Sequence, residues 1–247
     1  MSAAVISYCA FCVFLAAMVR GYSGFGFSLL TITSLSLALP TAQVVPAIFM
    51  LEIAASLHLL PGIWKVIHWK SLAPLIIGTI AATPIGVWFL ANIHAAPMQV
   101  ALAAFVLTAT ALLWRGFALK TMPGTAATAT VGAAAGLANG AFGIGGPPVI
   151  LFYFATPAGN IGGRASIIFY FLATDAAGLV FQAREGLLTS DAAKLAAMFI
   201  VPLLAGIWLG NRSFKTADPV VFRKWVLAIL AALAVLTAMK GIYVIAQ

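Results

Sequence analysis

The chain has 247 residues, 64% of them hydrophobic and 7% charged, with a mean hydropathy of +1.12 and a formal net charge of +8. A soluble domain carries about 25% charged residues, so this composition excludes an ordinary water-facing surface and points to a chain solvated by lipid. Nucleic-acid binding is excluded too: the 13 Lys and Arg fall in short gaps between apolar runs, not in a clustered patch with exposed readers.

A membrane helix needs about 20 apolar residues. Dividing the chain at its charged and Pro/Gly-rich gaps leaves ten apolar segments, Ala3 to Val19, Phe27 to Leu39, Ala42 to Leu60, Leu72 to Ile93, Met98 to Trp114, Thr125 to Ala138, Pro148 to Ala155, Ala165 to Phe181, Ala192 to Gly210 and Phe222 to Ile245. The second and seventh are too short to cross a hydrocarbon core of about 30 Å unless their neighbours extend them. The N-terminal segment lacks a basic leader region, which argues against a cleavable signal. Cys9 and Cys12 lie within it without a second Cys or His pair, so they read as packed thiols, and no metal or cofactor is expected. Trp64, Trp69, Trp88, Trp114, Trp208 and Trp225 fall mainly at segment ends, as an interfacial belt requires. His68 and His94 read as interfacial and structural, and His58 lies on a different helical face from Glu52.

Sliding the chain against itself by about 120 positions superposes Arg20-Gly21-Tyr22-Ser23-Gly24-Phe25-Gly26 on Asn139-Gly140-Ala141-Phe142-Gly143-Ile144-Gly145. With small shifts in register, Glu52-Ile53-Ala54-Ala55 meets Asp175-Ala176-Ala177-Gly178, and Gly86-Val87-Trp88 meets Gly206-Ile207-Trp208. These matches predict an all-α polytopic membrane protein of two related repeats, residues 1–118 and 122–247, with 8–10 membrane segments in a single transport domain. Basic residues concentrate after segments three, five and nine, while the gap from Asn92 to Met98 has none. Cytoplasmic loops carry the excess of Lys and Arg, so both termini are expected outside and the repeats inverted. Inverted repeats sharing a site near the bilayer midplane are a recurrent architecture of secondary transporters.

Gly21 to Gly26 and Gly140 to Gly146, the latter followed by Pro147 and Pro148, read as paired breaks at which a new helix starts. If the two short segments begin at membrane depth, their N-termini present unpaired N–H groups and positive dipole ends, which bind anions. The candidate substrate-binding residues are therefore Arg20, Gly21, Tyr22, Ser23, Gly24, Phe25, Gly26 and Phe27 in the first half, and Asn139, Phe142, Gly143, Ile144, Gly145, Gly146 and Pro147 in the second. The alternative is that the glycines only allow close helix packing. Arg20 is either an inner-end cation or, in a re-entrant arrangement, a mid-membrane guanidinium able to hold an anion through two hydrogen bonds. Glu52 and Asp175 are the acids within apolar segments, and each is a candidate for carrying a coupled proton. Pairing within the bundle, including neutralisation of Arg20 or Arg164, is the competing role.

Gly24-Phe25-Gly26 with Leu29-Leu30, and Gly143-Ile144-Gly145-Gly146-Pro147-Pro148 with the following Val149-Ile150-Leu151-Phe152-Tyr153, resemble the sulfite exporter TauE/SafE family, also called the toluene-sulfonate uptake permease family. The resemblance runs over essentially the whole chain. It implies a permease of the bacterial inner membrane, exporting small sulfur-containing anions such as sulfite or organosulfonates. The first half departs from the second by placing Phe27-Ser28 where the second has Gly146-Pro147, which argues against a symmetric site. An enzyme is not expected, because Glu52 and Asp175 lack a recognisable catalytic motif. The alternatives are an anion channel, whose pore would need polar rings open to both sides, and a membrane enzyme or assembly subunit.

Overall fold

The computed structural model describes residues 2–35, 38–39, 41–92, 104, 107–108, 110–116, 118–142, 145–184, 186, 188–216 and 218–245. Among them every regular element is helical. The helices are α1 Ala3–Ser23, α2 Phe27–Leu35, α3 Thr41–Ile63 followed by the 3-10 turn Trp64–Val66, α4 Trp69–Asn92, α5 Thr125–Phe142, α6 Gly146–Ala155, α7 Gly159–Arg184, α8 Ser190–Thr216 and α9 Pro219–Ile245. By length and composition, Ala3–Ser23, Gln43–Val66, Gly159–Val180 and Ser190–Thr216 are able to cross a membrane, and Gly146–Ala155 is a shorter apolar helix. Most of the segment expected over residues 98–114, and His94, lie outside the described residues.

Several boundaries differ from the sequence expectation, for local reasons. The first helix does not stop at Val19 but continues through Arg20, Gly21, Tyr22 and Ser23. It closes at Gly24, whose φ of 88° lets its N–H reach back to the Arg20 carbonyl at 2.7 Å. The first interruption is thus three residues, Gly24 to Gly26, with Gly26 also at positive φ. Gly140 likewise falls inside α5. The α7 helix begins at Gly159, six residues before the expected start, and so takes Arg164 into a helix where it is 3% exposed.

The chain divides into two compact units, each drawing on both halves of the sequence: residues 1–65 with 168–218, and residues 66–167 with 219–247. In the first unit α1 packs along α8, α3 packs against α8, and α2 packs with both α1 and α3. The buried residues of α8, Ala192, Leu195, Ala196, Phe199, Leu203, Gly206, Ile207 and Gly210, recur at three- and four-residue intervals and form one stripe. Close approach replaces bulk here. A Cβ on Gly210 would lie 2.1 Å from the Met18 carbonyl oxygen, and one on Gly21 would lie 2.5 Å from that of Ile207. Gly21 therefore serves the packing role that sequence left as the alternative to a helix break.

In the second unit α4 and α5 form the same kind of seam. Gly78 meets the backbone of Ala129, Gly132 that of Leu75, and Gly136 that of Thr79. The Thr79 hydroxyl donates across the seam to the Gly132 carbonyl at 3.0 Å. The six tryptophans are exposed on the outer surface, between 41% for Trp69 and 61% for Trp225, where a lipid interface would receive them. Cys9 is buried and Cys12 half-buried, both as free thiols, and no group of metal-ligating side chains occurs among the described residues.

Candidate functional site

The first unit contains a buried charged cluster. Arg20, in the last turn of α1, is fully buried, and Glu52, in the middle of α3, is 2% exposed. Arg20 Nη1 lies 2.5 Å from Glu52 Oε2, and Arg20 Nη2 donates to Ser56 Oγ at 2.6 Å. Glu52 and Ser56 are one turn apart on α3 and so present to the same side. The guanidinium also lies over the Phe171 ring, 5.6 Å from its centre. Asp175 is one turn beyond Phe171 on α7, is 9% exposed, and is within electrostatic reach of both Glu52 and Arg20.

The Gly24 to Gly26 interruption completes the cluster. The Ser23 hydroxyl bridges the turn: it accepts from the Phe25 N–H at 3.3 Å, and its one proton lies within reach of the Val19 carbonyl at 2.8 Å and the Phe25 carbonyl at 2.9 Å. Phe25 and Phe27 are buried and fix where α2 begins. The first turn of α2 then directs the Ser28 N–H at Glu52 Oε1, 3.0 Å away, and the Ser28 hydroxyl donates to the same oxygen. One carboxylate thus engages a guanidinium on one side and the N-terminus of a helix on the other. Both are features that stabilise negative charge out of water. Arg20 Nε and Asp175 Oδ2 remain buried without a hydrogen-bond partner, and Glu52 Oε2 is held by its ion-pair contact with Nη1 and not by an aligned hydrogen bond.

Of the first group of candidate residues, Arg20, Ser23, Phe25 and Phe27 are buried in this region and Gly24 and Gly26 form the interruption. Tyr22 is half-buried. Gly21 faces α8 instead of the charged cluster. In the second group, Gly145, Gly146 and Pro147 open α6 with proline in its first turn, and Gly145 packs against Asn139, where a Cβ would meet Asn139 Cβ at 2.8 Å. Gly143, Ile144 and the Phe142 side chain lie outside the described residues. Sequence reasoning missed Ser28 and Ser56 and the meeting of Glu52 with the start of α2. No local signal marks a contact between residues 24 positions apart on separate helices.

The second unit has a part-buried polar chain of its own. His68 Nδ1 lies 2.8 Å from Ser71 Oγ, which lies 3.1 Å from the Tyr153 hydroxyl, and the His68 N–H donates to Ser166 Oγ at 2.9 Å. Ser71 Oγ also donates to the His68 carbonyl, so Tyr153→Phe leaves Ser71 partnered. That substitution is expected to cost only about 0.5–1.5 kcal/mol. Thermal unfolding in detergent micelles checks it, and a much larger loss would mean that Tyr153 has a further essential partner.

A family model described as Sulfite exporter TauE/SafE matches residues 9–237 of the chain, a span that takes in the charged cluster and both interruptions. The chain belongs to the TauE/SafE family. It is accordingly a multi-pass membrane transport protein and not an enzyme. A curated TauE/SafE relative, the "Probable sulfite/organosulfonate exporter TauE" of Cupriavidus necator, is 27% identical over 219 residues, covering 86% of this chain and 84% of its own. No solved structure matches the chain.

Proposed function

We propose that this TauE/SafE protein is a secondary permease of the bacterial inner membrane that exports small sulfur-containing anions, sulfite or organosulfonates, by alternating access, with both termini in the periplasm. The observation that carries the reading is the pairing of a fully buried guanidinium, Arg20, with donors at the start of α2, both already engaged by an anionic group. Buried charge of this kind in a membrane protein marks a substrate or ion pathway, and the similarity to a sulfite/organosulfonate exporter supplies the anion class. Substrate is held near the bilayer midplane at the Gly24 to Gly26 interruption, with Arg20 as its cation and Gly24 and Gly26 allowing close backbone approach. Glu52 and Asp175 carry the coupled proton.

The inverted repeat of residues 1–118 and 122–247 has support of its own. In one unit the first helix of the N-terminal half packs on α8, and in the other the first helix of the C-terminal half, α5, packs on α4. These pairings exchange when the halves are exchanged, as any two-fold related repeat requires, and the basic residues after segments three, five and nine are what support its inverted sense.

Reconstituted protein tests the reading through flux across a lipid bilayer. Saturable, proton-dependent exchange of sulfite and organosulfonates, with carboxylates of similar size moving poorly, is the expected result. Unsaturable flux insensitive to a pH gradient would identify a channel instead, and no flux of any sulfur anion would remove the proposed substrate class.

A further inference from the structure

The charged cluster also indicates what a substrate anion must displace. This step rests on the anion-transport reading above and names the group that competes with the anion. Glu52 is itself an oxyanion, and it occupies the donors an incoming oxyanion would use: Arg20 Nη1 on one oxygen, the Ser28 N–H and hydroxyl on the other. Arg20 Nε, buried and without a hydrogen-bond partner, is a further donor that a carboxylate does not satisfy and a three-oxygen anion could.

We infer that Glu52 is a tethered competitor for the anion site, and that a small oxyanion takes over Arg20 and the Ser28 donors only as Glu52 accepts a proton and withdraws.

The charge balance makes the link obligatory. Among the described residues Arg20 is the cation paired with Glu52, and on α7, which carries Phe171 and Asp175, Arg164 is buried eleven positions before Asp175. On α3 the other titratable group, His58, is exposed; on α8 Asp191, Lys194, Arg212 and Lys215 are exposed; α2 contributes none. An anion added beside an ionised Glu52 would leave two negative groups sharing one guanidinium, with Asp175 close by, at the steep cost of an uncompensated buried charge. If Glu52 takes up a proton from water as the anion binds, Arg20 exchanges one counterion for another and the cluster keeps its net charge. Each bound anion therefore brings one proton.

The test uses the full-length protein in lightly buffered detergent or nanodisc solution. The probes are methanesulfonate and nitrate, oxyanions of strong acids whose own charge does not vary with pH. The wild-type protein is expected to take up about one proton per anion bound, with apparent affinity rising about tenfold for each unit fall in pH while Glu52 is ionised. Glu52→Gln, which keeps the shape and cannot ionise, is expected to bind more tightly at neutral pH, independently of pH and with no proton uptake. Should that variant fail to fold, Glu52→Asp keeps a counterion for Arg20 on a shorter arm. It is expected to bind the anions several-fold more tightly at neutral pH with proton uptake retained.

Anion binding without proton uptake in the wild type overturns the inference. So does an unchanged pH slope in Glu52→Gln, an unchanged affinity in Glu52→Asp, or no binding of either probe at any pH. Proton-linked nitrate binding in a protein that moves no sulfur anion would instead sustain the inference and remove the proposed substrate. Flux of sulfonates with no role for Glu52 would do the reverse.

Discussion

Replacing Arg20 with Met is expected to abolish anion transport and to destabilise the protein by about 3–5 kcal/mol, the range for removing one partner of a buried ion pair. The loss is large because Glu52 is 2% exposed and its ion pair among the described residues is with Arg20, while Ser56 loses its guanidinium donor at the same time. A second substitution separates structure from function. Arg20→Met combined with Glu52→Leu removes both charges and fills much of the same volume, and such replacements of buried pairs are often neutral or stabilising. The double variant is expected to recover most of the unfolding midpoint without recovering flux. Recovery of both would show that the pair is only scaffolding. If the single Arg20→Met variant were as stable as the wild type, the burial of the pair would be contradicted.

The second large effect is expected at Gly132. Alanine is favoured over glycine inside a helix by about 0.8–1.0 kcal/mol, so propensity alone would make Gly132→Ala stabilising. A Cβ at this position, however, would lie 2.1 Å from the Leu75 carbonyl oxygen, and that neighbour is backbone. Relief requires α4 and α5 to separate, which also lengthens the Thr79 to Gly132 hydrogen bond. Overpacking of this kind costs about 1–3 kcal/mol, enough to reverse the propensity gain. Gly62, near the end of α3, has nothing within 4 Å of an added Cβ, so Gly62→Ala should show the propensity gain by itself. Unfolding midpoints moving in opposite directions for the two variants check the argument. Equal shifts would mean that the α4 and α5 backbones are not in contact.

How much of this was legible beforehand follows the range of the interactions. Lipid solvation requires long uncharged runs, so the all-helical, multi-pass character and the outward tryptophans could be read from hydropathy and spacing. Glycine at positions 24 and 26 suits the left-handed backbone angles found there, but where α1 ends was not legible. Whether Gly21 breaks a helix or packs one depends on Ile207, far away in sequence and in contact only once α1 lies on α8.

The sequence by itself also singled out Arg20, Glu52 and Asp175, because a charge within an apolar segment is costly enough to need a reason wherever it occurs. It left their partners open: Glu52 could have neutralised Arg20 or Arg164, or stood alone as a proton carrier. Tertiary structure decided that Glu52 closes on Arg20 and on the first turn of α2, with Ser28 and Ser56 as its unforeseen companions. The physical reason is reach. Hydrogen bonds and ion pairs act over about 3 Å, so they are fixed by how three helices pack, whereas the cost of burying a charge is a property of the residue and its segment and can be read from the chain.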